Sequence, residues 1–166
     1  VFAGLREYFH LCNDAGRNMV AMPSQVVDDA WHEFILFTRQ YRRFCDRAFG
    51  RFLHHTPAEA MASPTVAQEG IKRAWRLACA REGINPKSPS RLPLLFAIDG
   101  ALGIANGFRY QLDCMAAGKA GAGTGGDFCA SHIGCSSGCS GDSGSSSDGG
   151  SGDGGSGCGG GCGGGD

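Results

Sequence analysis

Apolar and polar positions repeat with a helical period over most of the first two thirds of this chain. Leu5, Tyr8, Phe9 and Cys12 share one face of residues 4–13, which predicts a short helix ending near Asp14-Ala15-Gly16. The strongest pattern begins after Pro23, where Ser24 is placed to cap a helix start. Val27, Trp31, Phe34, Ile35, Tyr41, Cys45 and Phe49 then fall within an arc of roughly 140° at the helical period, predicting one long helix over residues 25–49. Gly50 is read as its end or a kink, and Thr56-Pro57 closes the segment that carries His54 and His55. Ser63-Pro64 opens a further helix over residues 64–82, with Ile71, Ala74, Trp75, Ala78 and Cys79 on its apolar face. Pro86, Pro89 and Pro93 stiffen the connection that follows. Residues 94–104 read as a short helix ending in a turn. Residues 108–114 alternate with period two and have no evident partner strand, which reads as one short extended edge or else as a further helix. Trp31 and Trp75 are placed in the core.

Composition divides the chain in two. Of its 166 residues, 29 are Gly and 9 are Cys, and most of the Gly lies after Ala117. Beyond that point Phe128 and Ile133 are nearly the only large apolar groups, too few to offset the entropy of ordering the backbone. The expected architecture is therefore mostly α: a small helical domain of three or four helices over residues 1–117, with a short extended segment. A disordered, low-complexity Gly/Ser/Cys-rich tail follows over residues 118–166.

Charge and hydropathy exclude several functions. The longest strongly apolar run, Leu92 to Ile98, is far below the roughly twenty residues of a membrane helix, so no span is expected. A net charge of −1 gives no large basic field, so nucleic acid is not implied as a partner. The chain starts at Val1, and a signal peptide is neither claimed nor denied from it. Cys12, Cys45, Cys79 and Cys114 stand one apiece in separate elements, which fits a reducing cytoplasm slightly better than a disulfide scaffold.

Residues 26–55 carry the most specific pattern in the chain. Asp28, Trp31-His32, Tyr41, Cys45, Gly50, Leu53 and His54-His55 occupy the positions of a motif, and with the glycine-rich tail the chain resembles the glycine-rich domain-containing protein family. That family usually has a second His two residues after Trp-His, where this chain has Phe34. The resemblance implies a mostly helical fold.

His and Cys in this number suggest a metal, zinc above all. On the predicted helix His32 lies about 130° from the apolar stripe, beside Asp28. Thirteen residues, about 20 Å of straight helix, separate His32 from Cys45, so those two cannot share an ion; Cys45 reads as a small buried apolar residue. His54 and His55 reach His32 only if the chain reverses after Gly50, with Asp28 or Asp29 completing a His/carboxylate set. The plain alternative is an Asp28–His32 pair at i,i+4 and two histidines at a helix end. A second candidate lies in the tail, where Cys129, His132, Cys135 and Cys139 have a C-x2-H-x2-C-x3-C spacing suited to tetrahedral zinc. Cys158 and Cys162 could form a disulfide or join a second site.

No nucleophile elbow, phosphate-binding loop or dinucleotide fingerprint is present, and Gly100, Gly103 and Gly107 have the wrong spacing for one, so no organic cofactor is expected. The leading reading is a small helical module that binds a protein partner or a metal through a flexibly tailed domain. A second reading is an enzyme using His32 with Asp28 or Asp29. A third takes the tail as a substrate for Cys/Ser modification, since its Gly-Cys and Gly-Ser pairs resemble in composition the azole-forming precursors of ribosomal peptide antibiotics.

Overall fold

A computed structural model describes residues 1–56, 64–112, 127–130 and 133. The fold is mostly helical, as expected. Five helices and two short strands follow in chain order: α1 (Phe2–Asp14), α2 (Gln25–Leu36), α3 (Thr38–Phe49), α4 (Pro64–Arg81), α5 (Leu94–Ala101), β1 (Arg109–Gln111) and β2 (Asp127–Cys129). The described residues thus hold five helices where three or four were expected.

The extra helix arises from a break in the expected long helix. Phe37 has φ −81° and ψ 58°, outside the helical region. Its N–H still donates to the Phe34 carbonyl at 3.1 Å, while its own carbonyl accepts from Tyr41 N at 2.8 Å and starts α3. Neither Gly nor Pro marks the position, so periodicity alone reads straight through it. The bend is what brings Trp31 and Tyr41 together: their side chains hydrogen-bond at 3.1 Å although ten residues of straight helix would span about 15 Å.

The start of α2 is held twice. Ser24, with extended backbone, accepts from Val27 N at 3.2 Å, as a capping residue should. Its hydroxyl in turn donates to Oδ1 of Asp99 on α5 at 2.6 Å. Asp99 also accepts from Gln25 N (2.7 Å), Val26 N (3.3 Å) and Phe108 N (2.9 Å), so a carboxylate only 2% exposed is saturated by fixed donors. Gly107 lies against it so closely that an added Cβ would sit 2.6 Å from the Asp99 Cβ, which is why that position takes no side chain.

The core forms where α1 crosses α2, α4 and α5. Leu11, Val27, Trp31, Tyr41, Cys45, Trp75, Cys79, Leu95 and Phe96 are all buried in it, with both tryptophans where the sequence pattern puts them. Phe9 anchors an aromatic cluster with Trp31, Phe34, Phe44 and Phe49. At the other end Trp75 meets Phe96 edge-on at 5.0 Å. Helix α4 stops in a Schellman turn, with Gly83 at φ +66° and Ile84 N donating to the Cys79 carbonyl at 2.8 Å.

The extended segment does have a partner. β1 pairs in parallel with β2, Arg109 opposite Asp127 and Gln111 opposite Cys129. Just after β2, Ala130 is fully buried, and Ile133 packs against the core. The packed body therefore reaches Ile133, past the boundary expected at Ala117. Composition missed this because one small residue and one Ile suffice when a strand already holds them in place.

Candidate functional site

Two turns of α2 and the irregular segment after α3 make the site. Asp28 and His32 are four residues apart and so project from one face of α2, toward its solvent side. Helix α3 ends at Gly50 in the left-handed region (φ +62°), and the chain then reverses and runs back across α2, carrying Phe52 to Thr56. The reversal puts His55 Nε2 at 2.9 Å from Asp28 Oδ1, while His32 Nε2 stands 3.7 Å from Asp28 Oδ2. The two imidazole rings lie edge to face with centroids 4.3 Å apart. One ligand atom from each of Asp28, His32 and His55 lies within 4.8 Å of the others.

Burial grades across this group. The side chain of His55 is 12% exposed, Asp28 22% and His32 49%, so the cluster has a fixed wall and an open side. The wall is Trp31, whose ring meets that of His55 edge-on at 4.6 Å. Behind it a short relay sets the return segment. Trp31 Nε1 donates to the Tyr41 hydroxyl at 3.1 Å, and that hydroxyl donates to the Leu53 carbonyl at 2.6 Å, two residues before His55. Burial pushes the Tyr41 phenol well above its ordinary range, so it remains a hydroxyl donor at all working pH values.

The remaining sequence candidates separate from this group. His54 points to solvent and packs on Phe52 at 4.8 Å, on the opposite side of the return segment from its neighbour, because successive residues of an extended chain alternate. Asp29 is exposed and accepts from Gln25 Nε2 at 2.9 Å instead of completing the set. Cys45 is fully buried, as the apolar reading held. Cys129 is the last residue of β2. His132, Cys135, Cys139, Cys158 and Cys162 lie outside the described residues. Phe34 points into the aromatic cluster against Phe9, Tyr41 and Phe44, so it serves packing while His55 supplies the second imidazole.

Sequence reasoning missed two groups that shape the site. Tyr41 was placed in the core, but nothing local shows that its hydroxyl holds the Leu53 carbonyl. Asp99 fixes the first turn of α2, from which Asp28 projects, and it comes from a helix 75 residues away from its Ser24 partner. No short-range signal could have found it.

Two imidazole nitrogens and one carboxylate at these separations can close on a divalent transition ion with small side-chain adjustments. Three protein ligands would leave coordination positions free toward solvent, the pattern of a site that exchanges ligands. The same three groups without an ion form a carboxylate-oriented imidazole, an arrangement able to move a proton. No helix among the described residues is long and apolar enough to cross a membrane. A model of the UCP032817-like family matches residues 1–133. No curated protein and no solved structure matches the chain.

Proposed function

We propose that this chain, which belongs to the UCP032817-like family, is a metal-binding helical module whose ion is held by Asp28, His32 and His55. The observation that carries the reading is the convergence of three ligand atoms within 4.8 Å from two separate elements, with His55 fixed against Trp31. Residues of the motif by which the sequence resembles glycine-rich domain-containing proteins also converge on this site. Asp28, Trp31, His32, Tyr41, Leu53 and His55 of that motif are in contact here, either as candidate ligands or as the relay that sets them. Zinc is the first ion to try, because two imidazoles and a carboxylate with open positions match its exchangeable sites.

Cobalt(II) titration of the full chain under reducing conditions tests this. The expected spectrum has d–d bands without thiolate charge transfer, and it disappears in His55→Ala and Asp28→Ala. A thiolate band that survives both substitutions would move the metal to the tail cysteines and overturn the assignment. A second reading, general-base chemistry, is favoured by the 2.9 Å contact between Asp28 and His55, which orients one ring nitrogen as a catalytic carboxylate does. It names His55, rather than His32, as the proton carrier and predicts no metal uptake.

A further inference from the structure

Three features of α3 are left without use by the fold or by the metal site. The first is the break at Phe37. Leu36 and Phe37 are 71% and 59% exposed, two adjacent large apolar groups turned out at a helix junction that no Gly or Pro demands. The second is a row of like charge. Arg39, Arg43 and Arg47 recur at i, i+4 and i+8, all exposed, and none forms an ion pair among the described residues. Like charges at this spacing destabilise a helix. Their neighbour Arg42, by contrast, is paired with Asp46 at 3.1 Å. The third is a shallow groove of about 450 Å³ along the same helix, lined by Gln40, Arg43, Phe44, Arg47 and Ala48. Phe44 is half-buried, its inner side packed on Phe9, Phe34 and Phe49 and its outer side facing the groove, while Leu36 and Phe37 stand at the N-terminal end of the same helix.

Each feature costs the isolated chain, and one kind of partner relieves all three. We infer that the outer face of α3 binds an acidic amphipathic helix of a partner protein. Carboxylates at i and i+4 on such a helix lie about 6 Å apart, the same spacing as Arg43 and Arg47, and an apolar side chain between them would rest on Phe44. Leu36 and Phe37 would take a second apolar residue at the end of the groove. A nucleic acid strand would satisfy the arginines but offers no aliphatic anchor, and the chain as a whole, with a net charge of −1, supplies no wider basic field to hold it. The site is separate from Asp28, His32 and His55, and its fate does not depend on the metal.

The test uses the full chain and a designed, fluorescently labelled helical peptide with Glu at i,i+4 positions flanking Leu and Phe. A scrambled peptide of the same composition and a single-stranded oligonucleotide serve as the comparisons, all read by anisotropy. Arg43→Glu and Phe37→Ser are informative because neither should harm the fold. The first places a carboxylate between Arg39 and Arg47, and the second supplies a side-chain cap where Phe37 offers none. Each should weaken peptide binding about tenfold or more, with native circular dichroism retained, and only the loss in Arg43→Glu should vanish at high salt. Equal binding of the scrambled peptide would overturn the inference, as would unchanged affinity in both variants or tighter binding of the oligonucleotide. So would sedimentation showing a dimer of the wild-type chain that Phe37→Ser dissociates, since the face would then belong to a second copy.

Discussion

Two aspartates meet α2 within two turns of each other and are used in opposite ways. Asp99 arrives from α5, is 2% exposed, and accepts from one hydroxyl and three backbone N–H groups. Every one of those donors is fixed by the fold, and none can be exchanged for a ligand without unmaking the helix start. Asp28 projects from the first turn of α2, is 22% exposed, and faces two imidazoles. Imidazole nitrogens are partners that a metal ion can replace or join. Saturation by backbone marks a structural carboxylate, and satisfaction by titratable side chains at an open edge marks one available for chemistry.

The sharpest way to break this contrast is to remove each carboxylate and measure stability by chemical denaturation. Asp99→Ala should cost about 3–5 kcal/mol, since each buried donor left without an acceptor costs about 1–3 kcal/mol. Tyr41→Phe comes next, at about 1–3 kcal/mol, because the Leu53 carbonyl and the Trp31 indole N–H lose their common partner. It should also loosen the return segment and weaken cobalt(II) affinity about tenfold to a hundredfold while every ligand remains in place. Asp28→Ala should change stability by less than about 1 kcal/mol and yet abolish the cobalt(II) spectrum. Equal stability losses for Asp28→Ala and Asp99→Ala would remove the distinction between the two carboxylates.

The smallest effect concerns alkaline pH. Burial pushes the Cys12 thiol from its ordinary value of 9.0 up to about 12, and Cys79 from the same value to about 11. A raised thiol pKa means that the folded state resists losing the proton, so this stability is fully present below about pH 9 and is lost as pH rises toward those folded values. Thermal midpoints should therefore be level through neutrality and begin to fall above about pH 9. Native protein should likewise leave both thiols unalkylated by iodoacetamide at pH 8, because the thiolate is the reactive form.

Most of the helical pattern was legible, because its cause is local. The Ser24 cap, the apolar stripe through Trp31, Tyr41 and Cys45, and the glycine at the end of α3 each act within a few residues. The Asp28/His32 pair was legible for the same reason, and His55 could be named as conditional on a reversal at Gly50. The break at Phe37 was not, since it preserves hydrophobic periodicity on both sides and differs from a straight helix in one backbone angle. The exclusion of Asp29 and His54 also required coordinates. Alternation along the return segment decides which of two adjacent histidines faces α2, and its phase is set by Tyr41 holding the Leu53 carbonyl. The β1–β2 pairing was hidden by composition, for a glycine-rich stretch gives no sign that Ala130 and Ile133 are packed.

The clasp between Ser24 and Asp99 also orders the folding reaction in time. It joins residues 75 apart in sequence, and the entropy of closing so long a loop has to be met before the contact contributes anything. Until α5 has docked, the N-terminal turn of α2 relies on Ser24 alone for its cap and frays, and Asp28 with it. During synthesis the site therefore takes its final geometry only after residue 108 has joined the fold, since Phe108 N is the last donor to reach Asp99. A contact of such long range is expected to bear on the unfolding rate more than on the folding rate, so Asp99→Ala should accelerate unfolding in a denaturant chevron and leave the folding limb nearly unchanged. The same clasp thus bears on how long a folded molecule keeps Asp28 in place beside His32 and His55.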